Sequence, residues 1–377
     1  MLQRNTPRSL IRSNHLKTFA RGIKSTVQNT DYKLQQDDIP QDGTIFSMIQ
    51  PTGMFHLGNY LGATRVWSDI CNLKTSVSLK DSPKLIFGVA DLHAITVPKP
   101  HPNSTQLRKY RHEAIASILA VGVDPKKAII MYQSSIPEHT QLHWILSTIA
   151  SMGYLNRMTQ WKSKSKAEST ADTNVRLGLF SYPILQAADI LLYKSTHVPV
   201  GDDQAQHLEL CRSLAVQFNK MYRTKIFPIP RTILAPTKKI LSLKSSEKKM
   251  SKSDPNHDSV IFMNETSDEI SRKIKSALTD SIVDHFEYDP ENRPSVSNLI
   301  NILSGIQRKS IEEVDQEISC MNNYKSFKNH ITEVLVEGLK GPRLRFEQLM
   351  KDPAYLETVL EQGTQGIGKG NSTGDHR

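Results

Sequence analysis

The sequence predicts an α/β fold, with a parallel sheet in the first part of the chain and a helical region after it. Short apolar runs rich in β-branched residues alternate with amphipathic stretches of helix length, and from about Asp268 the periodicity is helical almost throughout. Strands that alternate with helices of this length form a parallel sheet covered on both faces. Ligands of such sheets bind at the carboxyl ends of the strands.

Three strands are predicted with a helix after each of them. The strands are residues 44–50 (TIFSMIQ), 84–90 (KLIFGVA) and 128–133 (AIIMYQ), and the helices are residues 57–72, 105–121 and 138–150. Polar residues follow each strand, namely Gln50, Asp91–His93 and Gln133–Ser135. Because the carboxyl ends of parallel strands share one edge of the sheet, we expect these polar residues to converge on one crevice.

Length and composition exclude several classes of protein. A chain of 377 residues has room for two domains and a large core, and 38% apolar with 23% charged residues is typical of a soluble globular protein. No apolar run approaches the ~18 residues of a membrane helix. The three cysteines, Cys71, Cys211 and Cys320, stand far apart. This spacing argues against a disulfide framework or a zinc site and indicates a reducing compartment.

More than half of the formal net charge of +10 is concentrated at the N-terminus. Residues 1–30 contain Arg4, Arg8, Arg12, Lys17, Arg21 and Lys24 but no acidic residue, and the rest of the chain has 42 basic against 38 acidic residues. An Arg-rich, hydroxyl-rich and acid-free N-terminus is typical of a mitochondrial transit peptide rather than a secretory signal. We predict that residues 1–36 are a transit peptide or disordered; a basic arm that touches RNA is the alternative.

The first of two motifs follows the first predicted strand, where residues 51–59 read PTGMFHLGN. It places His56 and Asn59 at the start of a helix. Free backbone N–H groups and the helix dipole favour phosphate there, and the two side chains add hydrogen-bond donors. A structural cap is the other interpretation of His56. Gly58 leaves room for a flat nucleotide against the backbone.

The second motif, KMSKS, is Lys249–Ser253 and lies about two hundred residues downstream. Lys249 and Lys252 place two cations on a loop. Cations aimed at a phosphate that gains negative charge in a transition state lower the barrier. Either motif alone is weak evidence of function, but the pair in this order is specific.

The two motifs resemble the HIGH and KMSKS pair of class I aminoacyl-tRNA synthetases, with His-Leu-Gly-Asn as a variant of HIGH. Further stretches resemble tryptophanyl-tRNA synthetases of the bacterial and organellar type. They are residues 44–53 (TIFSMIQPTG), 91–97 (DLHAITV), 157–162 (RMTQWK), 182–193 (YPILQAADILLY), 198–204 (VPVGDDQ) and 274–281 (IKSALTDS). The resemblance covers roughly residues 44–305. It implies a Rossmann-like, nucleotide-binding catalytic domain and a C-terminal α-helical domain.

The resemblance divides the chain into five expected segments. They are the transit peptide or disordered segment 1–36, the Rossmann-like catalytic domain 37–236, the KMSKS loop and junction 237–267, the helical anticodon-binding domain 268–362 and a disordered tail 363–377. Within the helical domain, Ser310–Glu313 has the pattern of a capping box that opens a helix. The tail is predicted from its Gly, Ser and Thr content.

The resemblance also implies a tryptophan site, in which Asp189 accepts the indole N–H. Indole is only a donor, so its site requires an acceptor. Phe46, Ile190, Val198 and Val200 would wall the pocket, while Tyr182, Gln204 and His93 would lie around the amino acid's polar end or the ring edge. Gln186 belongs to the same site, and Gln50 would face the activating centre.

ATP with Mg²⁺ is the implied co-substrate, with no tightly bound cofactor and no metal held by the protein. The implied ATP contacts are Gln50, Thr52, Gly53, His56, Gly58, Asn59, Gly201, Asp203, Lys249, Met250, Ser251, Lys252 and Ser253. His56, Asn59, Lys249 and Lys252 would be catalytic, together with Lys162 and Lys164, which would reach the phosphates with Mg²⁺. Asp203 would bind the ribose hydroxyls or orient Lys252.

Two positions depart from the family pattern near the amino-acid pocket. Bacterial members usually have Met where this chain has Gln186, and Gly where it has Met48. Outside the motifs, His112, His139, His143 and His207 are predicted to lie on helix surfaces, and Trp67 and Trp144 to be packing residues.

The implied function is a homodimeric tryptophan–tRNA ligase of the mitochondrial matrix that acts on L-tryptophan, ATP and tRNA(Trp). A tyrosine-specific enzyme of the same class is one alternative, against which residues 91–97 and 198–204 argue. An RNA-binding paralogue without activity is the other, against which the intact motifs argue.

Overall fold

The computed structural model describes residues 26–27, 34–74, 84–96, 103–162, 176–201, 204–234, 239–252 and 254–371. Within these residues, six parallel strands form one sheet in the order β1-β6-β5-β2-β3-β4. They are β1 (Thr26–Val27), β2 (Ile45–Ile49), β3 (Leu85–Val89), β4 (Ala128–Tyr132), β5 (His197–Val200) and β6 (Arg231–Leu234). A separate antiparallel hairpin consists of β7 (Leu241–Ser242) and β8 (Ser245–Lys249). The predicted α/β class with a parallel sheet is confirmed.

Helices cover the sheet and form the C-terminal region. The first helix, α1, spans residues 57–73 and contains a π turn at Tyr60–Thr64. The others are α2 (Ser104–Ala120), α3 (Glu138–Ser147), α4 (Met152–Arg157), α5 (Leu177–Leu192), α6 (Ala205–Met221), α7 (Ser267–Lys275), α8 (Pro294–Gln307), α9 (Ile311–Ile318), α10 (Tyr324–Met350) and α11 (Pro353–Asn371). No helix of the described part is long and apolar enough to cross a membrane.

The two faces of the sheet bury two separate cores. Successive side chains of a strand point to opposite faces, so Ile45 joins one core and Phe46 the other. The core that contains Ile45 also takes in α1, α2 and the C-terminal helices α7–α11. The core that contains Phe46 is covered by α3–α6. The helical C-terminal region therefore packs directly onto the sheet and is not tethered only by a linker.

The start of α9 confirms the predicted capping box. The Ser310 side chain accepts a hydrogen bond from the backbone N–H of Glu313 at 3.2 Å, and the Glu313 carboxylate accepts from the backbone N–H of Ser310 at 2.7 Å. Both bonds satisfy N–H groups that the first turn of a helix leaves without a partner.

Segments predicted to be disordered at the two ends of the chain contain regular structure, whereas the transit peptide stays a prediction. Thr26 and Val27, in the segment predicted to be a transit peptide or disordered, pair with Thr232 and Ile233 of β6. Leu34, in the same segment, is buried. The tail predicted to be disordered from residue 363 is helical as far as Asn371.

The glycines of the tail allow α11 to pack closely against the sheet. A Cβ atom at Gly363 would overlap the carbonyl oxygen of Ile130 in β4, so α11 lies with its backbone directly on the edge strand. Lys84 also donates to the carbonyl of Gly366 at 3.0 Å, and Ile367 is buried. A prediction from composition alone interprets these glycines as flexibility, because it has no information about the strand against which they pack.

We predict that Gly363→Ala destabilises the protein by about 1–3 kcal/mol, because the added methyl group forces α11 away from β4. The matched control is Gly153→Ala in α4, where the added Cβ makes only ordinary contacts of 3.6–3.7 Å. Replacing an exposed helical glycine by alanine is neutral or stabilises by up to about 1 kcal/mol. Urea unfolding of both variants measures the difference. Equal stability of Gly363→Ala and the unaltered protein would show that α11 is not seated on β4.

Candidate active site

A cavity of about 300 Å³ lies at the carboxyl ends of β2 and β5, between the sheet and α5. The ten residues that the sequence predicts around tryptophan all line it. They are Phe46, Gln50, His93, Tyr182, Gln186, Asp189, Ile190, Val198, Val200 and Gln204. The structure thus brings together residues that are spread over 159 positions of the chain, from 46 to 204. Binding of tryptophan by this set stays a prediction.

Asp189 is the buried charge of this cavity, with only 2% of its surface exposed. Its Oδ1 accepts hydrogen bonds from Gln133 Nε2 at 2.8 Å and His139 Nδ1 at 2.7 Å, and its Oδ2 lies 2.8 Å from His93 Nε2. Burial alone would raise the pKa of Asp189, but the hydrogen bonds from His139 and His93 outweigh it and lower the pKa to about 2. The carboxylate is therefore ionised at physiological pH and remains an acceptor.

The prediction that His139 lies on a helix surface is wrong. His139 has no exposed surface, and its Nε2 lies 2.7 Å from the hydroxyl of Tyr193. The signal was present in the spacing of α3, where His139, Leu142 and Leu146 are the buried residues. Positions i, i+3 and i+7 share one face of a helix, so a histidine in that series belongs to the buried face.

A second polar cluster lies where α5 meets the start of α6. The Tyr182 hydroxyl is 3.0 Å from both Gln160 Oε1 and His207 Nε2, and His207 Nδ1 is 2.9 Å from Gln204 Oε1. His207 is 2% exposed, so its predicted surface position is also wrong. Burial raises the pKa of Tyr182 to about 12, which keeps the hydroxyl protonated. Gln160 and His207 also line the cavity and were missed by the sequence analysis.

The two departures from the family pattern are accommodated without distortion of the fold. Met48 of β2 is the register partner of Gly88 in β3, and a Cβ atom at position 88 would lie 3.0 Å from the Met48 methyl carbon. Gly88 therefore provides the space that Met48 takes. Gln186 donates from Nε2 to Gln204 Oε1 at 3.2 Å and so joins the polar cluster.

The turn after β2 requires glycine and holds His56 at the start of α1. Gly53 has φ +98°, a conformation that residues with a side chain rarely adopt. His56 Nδ1 accepts from the backbone N–H of Gly58 at 3.0 Å, and the Asn59 side-chain oxygen accepts from the His56 backbone N–H at 3.3 Å. A Cβ atom at Gly58 would lie 2.9 Å from the ring of His56. Gly58 is thus needed for the ring to cap the helix.

The geometry allows His56 to be both a structural helix cap and a donor to a phosphate. Burial, followed by the charges of Lys252 and Lys249, lowers the pKa of His56 to about 3, so the ring is neutral at physiological pH. Because Nδ1 accepts from Gly58, the single ring proton lies on Nε2. His56 is a helix cap on one side and a neutral N–H donor on the other. The positive charge near this turn therefore comes from the lysines.

The loop of the second motif lies against the turn of the first. Met250 is buried and its backbone N–H bonds to the Ile240 carbonyl at 3.0 Å, which anchors one side of the loop. Lys252 Nζ donates to Thr52 Oγ1 at 3.1 Å and to the Gly53 carbonyl at 2.9 Å. Burial lowers the pKa of Lys252 to about 8, although the carboxylate of Glu113 opposes this shift.

The chain that follows this loop pairs with the first motif through its backbone. The Leu57 N–H bonds to the Ile261 carbonyl, and the Met263 N–H bonds to the Phe55 carbonyl, both at 2.9 Å. His56 and Phe262 form the antiparallel bridge between these two bonds. The two motifs are thus joined by main-chain hydrogen bonds and by the Lys252 contact.

Among the remaining residues predicted to contact ATP, the described ones, Lys249, Ser251, Gly201 and Lys162, do not line the cavity around Asp189. Lys249 and Ser251 are exposed, and Gly201 accepts the backbone N–H of Gln204 at 3.0 Å. Lys162 is exposed and does not line the cavity. Lys164, Asp203 and Ser253 lie outside the described residues.

A second, larger cavity lies apart from these motifs. It has a volume of about 490 Å³ and lies between α2 and α11, and its lining includes Arg108, Arg111, Glu357 and Glu361.

The two tryptophans that were predicted to be packing residues differ in the structure. Trp67 is fully buried, as predicted, whereas Trp144 is 72% exposed and does not serve the predicted packing role.

Comparisons with known proteins agree with this geometry. A family model described as tRNA synthetases class I (W and Y) matches residues 41–340. The mitochondrial tryptophan–tRNA ligase of Saccharomyces cerevisiae is 62% identical over 92% of this chain and 93% of its own length. The tryptophan–tRNA ligase of Halalkalibacterium halodurans is 44% identical over 85% and 91% of the two chains.

Solved structures give the same result. A tryptophanyl-tRNA synthetase from Mycoplasma pneumoniae superposes with a TM-score of 0.76 at 31% identity, and covers 88% of this chain and 95% of its own. A tryptophanyl-tRNA synthetase from Campylobacter jejuni, complexed with ADP and tryptophan, has a TM-score of 0.67 at 27% identity and covers 87% and 98%. The chain therefore belongs to the class I tRNA synthetases, in the tryptophanyl-tRNA synthetase family.

Proposed function

We propose that this chain is a mitochondrial tryptophan–tRNA ligase, which activates L-tryptophan with ATP and transfers it to tRNA(Trp). The observation that carries the proposal is the ionised acceptor Asp189, buried in a cavity beside the joined motifs of a class I synthetase. Indole is a donor without acceptor capacity, and a buried carboxylate is its complement. The proposal agrees with the named activity of the relatives that cover most of this chain.

In the first step, a carboxylate oxygen of tryptophan attacks the α-phosphorus of ATP, and the bond to the pyrophosphate oxygen breaks. The phosphate gains negative charge in the transition state. The His56 Nε2–H and the Asn59 amide would present donors to this phosphate, and Lys252 and Lys249 would present cations. Such preorganised groups are worth about 3–4 kcal/mol each when one is removed.

In the second step, a ribose hydroxyl of the tRNA 3′ end attacks the carbonyl carbon of the adenylate, and AMP leaves. The mixed anhydride is already activated, so little acid–base catalysis by the protein is needed. Positioning of the two reactants supplies most of the rate of this step.

ATP enters this scheme as its magnesium complex. Lys162 and Lys164 would reach the phosphates with Mg²⁺, and Gly201 and Asp203 would contact the ribose. The exposed position of Lys162, two residues beyond the cavity-lining Gln160, supports this assignment.

A homodimer is the proposed assembly. Large apolar side chains are exposed on α5 and on α3 and α4, which both pack against it: Trp144 (72%), Ile145 (43%), Met152 (65%) and Leu177 (76%). Exposed apolar side chains grouped on neighbouring helices indicate an interaction surface. A second copy of the chain would bury it, and one tRNA would then dock across both subunits.

The mitochondrial matrix is the proposed compartment, because tRNA charging must supply translation there. The basic, acid-free residues 1–30 support import. Protection of the protein from protease in intact mitochondria, and in mitochondria stripped of their outer membrane, tests this placement.

We predict that ATP–pyrophosphate exchange is supported by tryptophan and by no other standard amino acid. Lys252→Ala should lower the exchange rate by about 10²–10³, as deletion of a transition-state donor does elsewhere. Exchange with tyrosine instead would move the enzyme to the tyrosine-specific branch. No exchange with any amino acid, from folded protein that still binds tRNA, would support an RNA-binding paralogue.

The pKa of Lys252 gives a pH dependence of known sign. Lysine is cationic below its pKa, so in the free enzyme the charge is lost as the pH rises through about 8. The value of kcat/KM for ATP reports free-enzyme pKa values, and we expect it to fall above that pH. Lys252→Arg keeps its charge at every accessible pH, so this variant should lack the alkaline decline. An identical decline in both proteins would assign it to another group.

The double variant Trp144→Asp/Met152→Asp should be monomeric, because two charges placed on the exposed apolar helices cannot be buried without a partner. Sedimentation velocity measures the change from twice the mass of one chain to the mass of a single chain. Tyr222→Asp, at a residue that is 55% exposed beyond the end of α6, is the control and should stay dimeric. A monomeric unaltered protein would refute the dimer.

A further inference from the structure

We infer that His139 and Gln133 are positioning residues for amino-acid selection, which occupy Asp189 Oδ1 and leave Oδ2 as the atom that accepts the indole N–H. The inference rests on the proposed function and deepens it. Neither residue lines the cavity, so both act through Asp189. They are therefore distinct from the residues that would touch tryptophan.

The argument begins with the acceptor capacity of the carboxylate. Two carboxylate oxygens provide about four lone-pair sites, two on each oxygen. Gln133 Nε2 and His139 Nδ1 both donate to Oδ1, at 2.8 and 2.7 Å, and so fill it. Among the described residues, Oδ2 has one hydrogen-bond partner, His93 Nε2 at 2.8 Å. One site is left, on the oxygen that is paired with a cavity-lining residue.

Each donor to Oδ1 is held in place by a second bond. The Gln133 side-chain oxygen accepts the backbone N–H of Leu92 at 3.1 Å, which orients the amide with its NH₂ group toward Asp189. A carboxylate only accepts, so His139 Nδ1 carries a proton in either protonation state of the ring. The Tyr193 hydroxyl, 2.7 Å from His139 Nε2, holds the ring in its plane. The carboxylate is thus unable to rotate without breaking two buried bonds.

This arrangement predicts how the site rejects an analogue without the ring N–H. Such a ring leaves the last acceptor site of a buried charge unsatisfied, and sites of this kind discriminate by about 10⁴ or more. When the donor from residue 139 is removed, Oδ1 gains a free site. The carboxylate can then turn or take a water molecule, and the penalty for a missing N–H falls.

The experiment compares kcat/KM in pyrophosphate exchange for tryptophan and for benzothienylalanine, in which sulfur replaces the ring N–H. We expect His139→Leu to lower the ratio of the two values about tenfold or more. His139→Asn should restore most of the ratio, because its side-chain NH₂ occupies the place of Nδ1. His285→Leu, at an exposed histidine, is the control and should leave the ratio unchanged.

Gln133→Met removes the other donor to Oδ1 and provides the same test if His139→Leu does not fold. A role in folding alone would lower both kcat/KM values equally, so an unchanged ratio in both variants would overturn the inference. The proposed function fails separately, since it requires the unaltered enzyme to use tryptophan. Preference for tryptophan in the unaltered enzyme with unchanged ratios in the variants would refute only the roles of His139 and Gln133.

Discussion

The buried charge of Asp189 is the constraint that fixes the structure around the cavity proposed to bind tryptophan. An ionised carboxylate with 2% exposure is tolerated only when its oxygens are hydrogen-bonded. Its donors come from three places: the turn after β3, the residue after β4 and the first turn of α3. Loss of one partner of a buried charge costs about 3–5 kcal/mol. The ends of two strands and the positions of α3 and α5 are therefore coupled to the chemistry of the cavity.

A different constraint positions the two motifs that are proposed to contact the phosphates of ATP. The backbone pairing of Phe55–Leu57 with Ile261–Met263 joins the first strand–helix turn to the chain just beyond the lysine loop. Both segments belong to the core that α7–α11 share with the sheet. The helical region thus holds the lysine loop against the turn through a common core. Lys252 contacts Thr52 and Gly53, and bound phosphates would compete with them for its ammonium group.

Much of this architecture could be predicted from the sequence because it follows local rules. Apolar runs predicted β2, β3 and β4 to within a residue at each end, and the shared edge of a parallel sheet predicted that Gln50 and His93 meet in one cavity. The two motifs predicted that His56 and Lys252 share one site. These successes rest on patterns contained within a few consecutive residues.

The features that were predicted wrongly depend instead on contacts with distant parts of the chain or with a second chain. The helix around Gly363 packs directly on the edge strand because glycine has no side chain, and Thr26 pairs with Thr232 of β6. His139 and His207 are buried because each is hydrogen-bonded to a buried polar side chain, His139 to Asp189 and His207 to Tyr182. Trp144 is exposed on a surface that a second chain is proposed to cover. Composition and periodicity contain this information only for His139, whose spacing with Leu142 and Leu146 places it on the buried face of α3.

Gln186 and Met48, the two departures that the resemblance to the family indicates, both line the cavity. Gln186 bonds to Gln204, and Met48 fills the space left by Gly88, so both changes are absorbed by neighbours that do not donate to Asp189. The three donors to Asp189 are supplied by Gln133, His139 and His93, which these changes leave in place. The proposed recognition of the ring N–H is therefore physically separate from the part of the cavity wall that contains Gln186 and Met48. A pocket built this way can change its shape around the ring while it keeps the selectivity that a single buried acceptor provides.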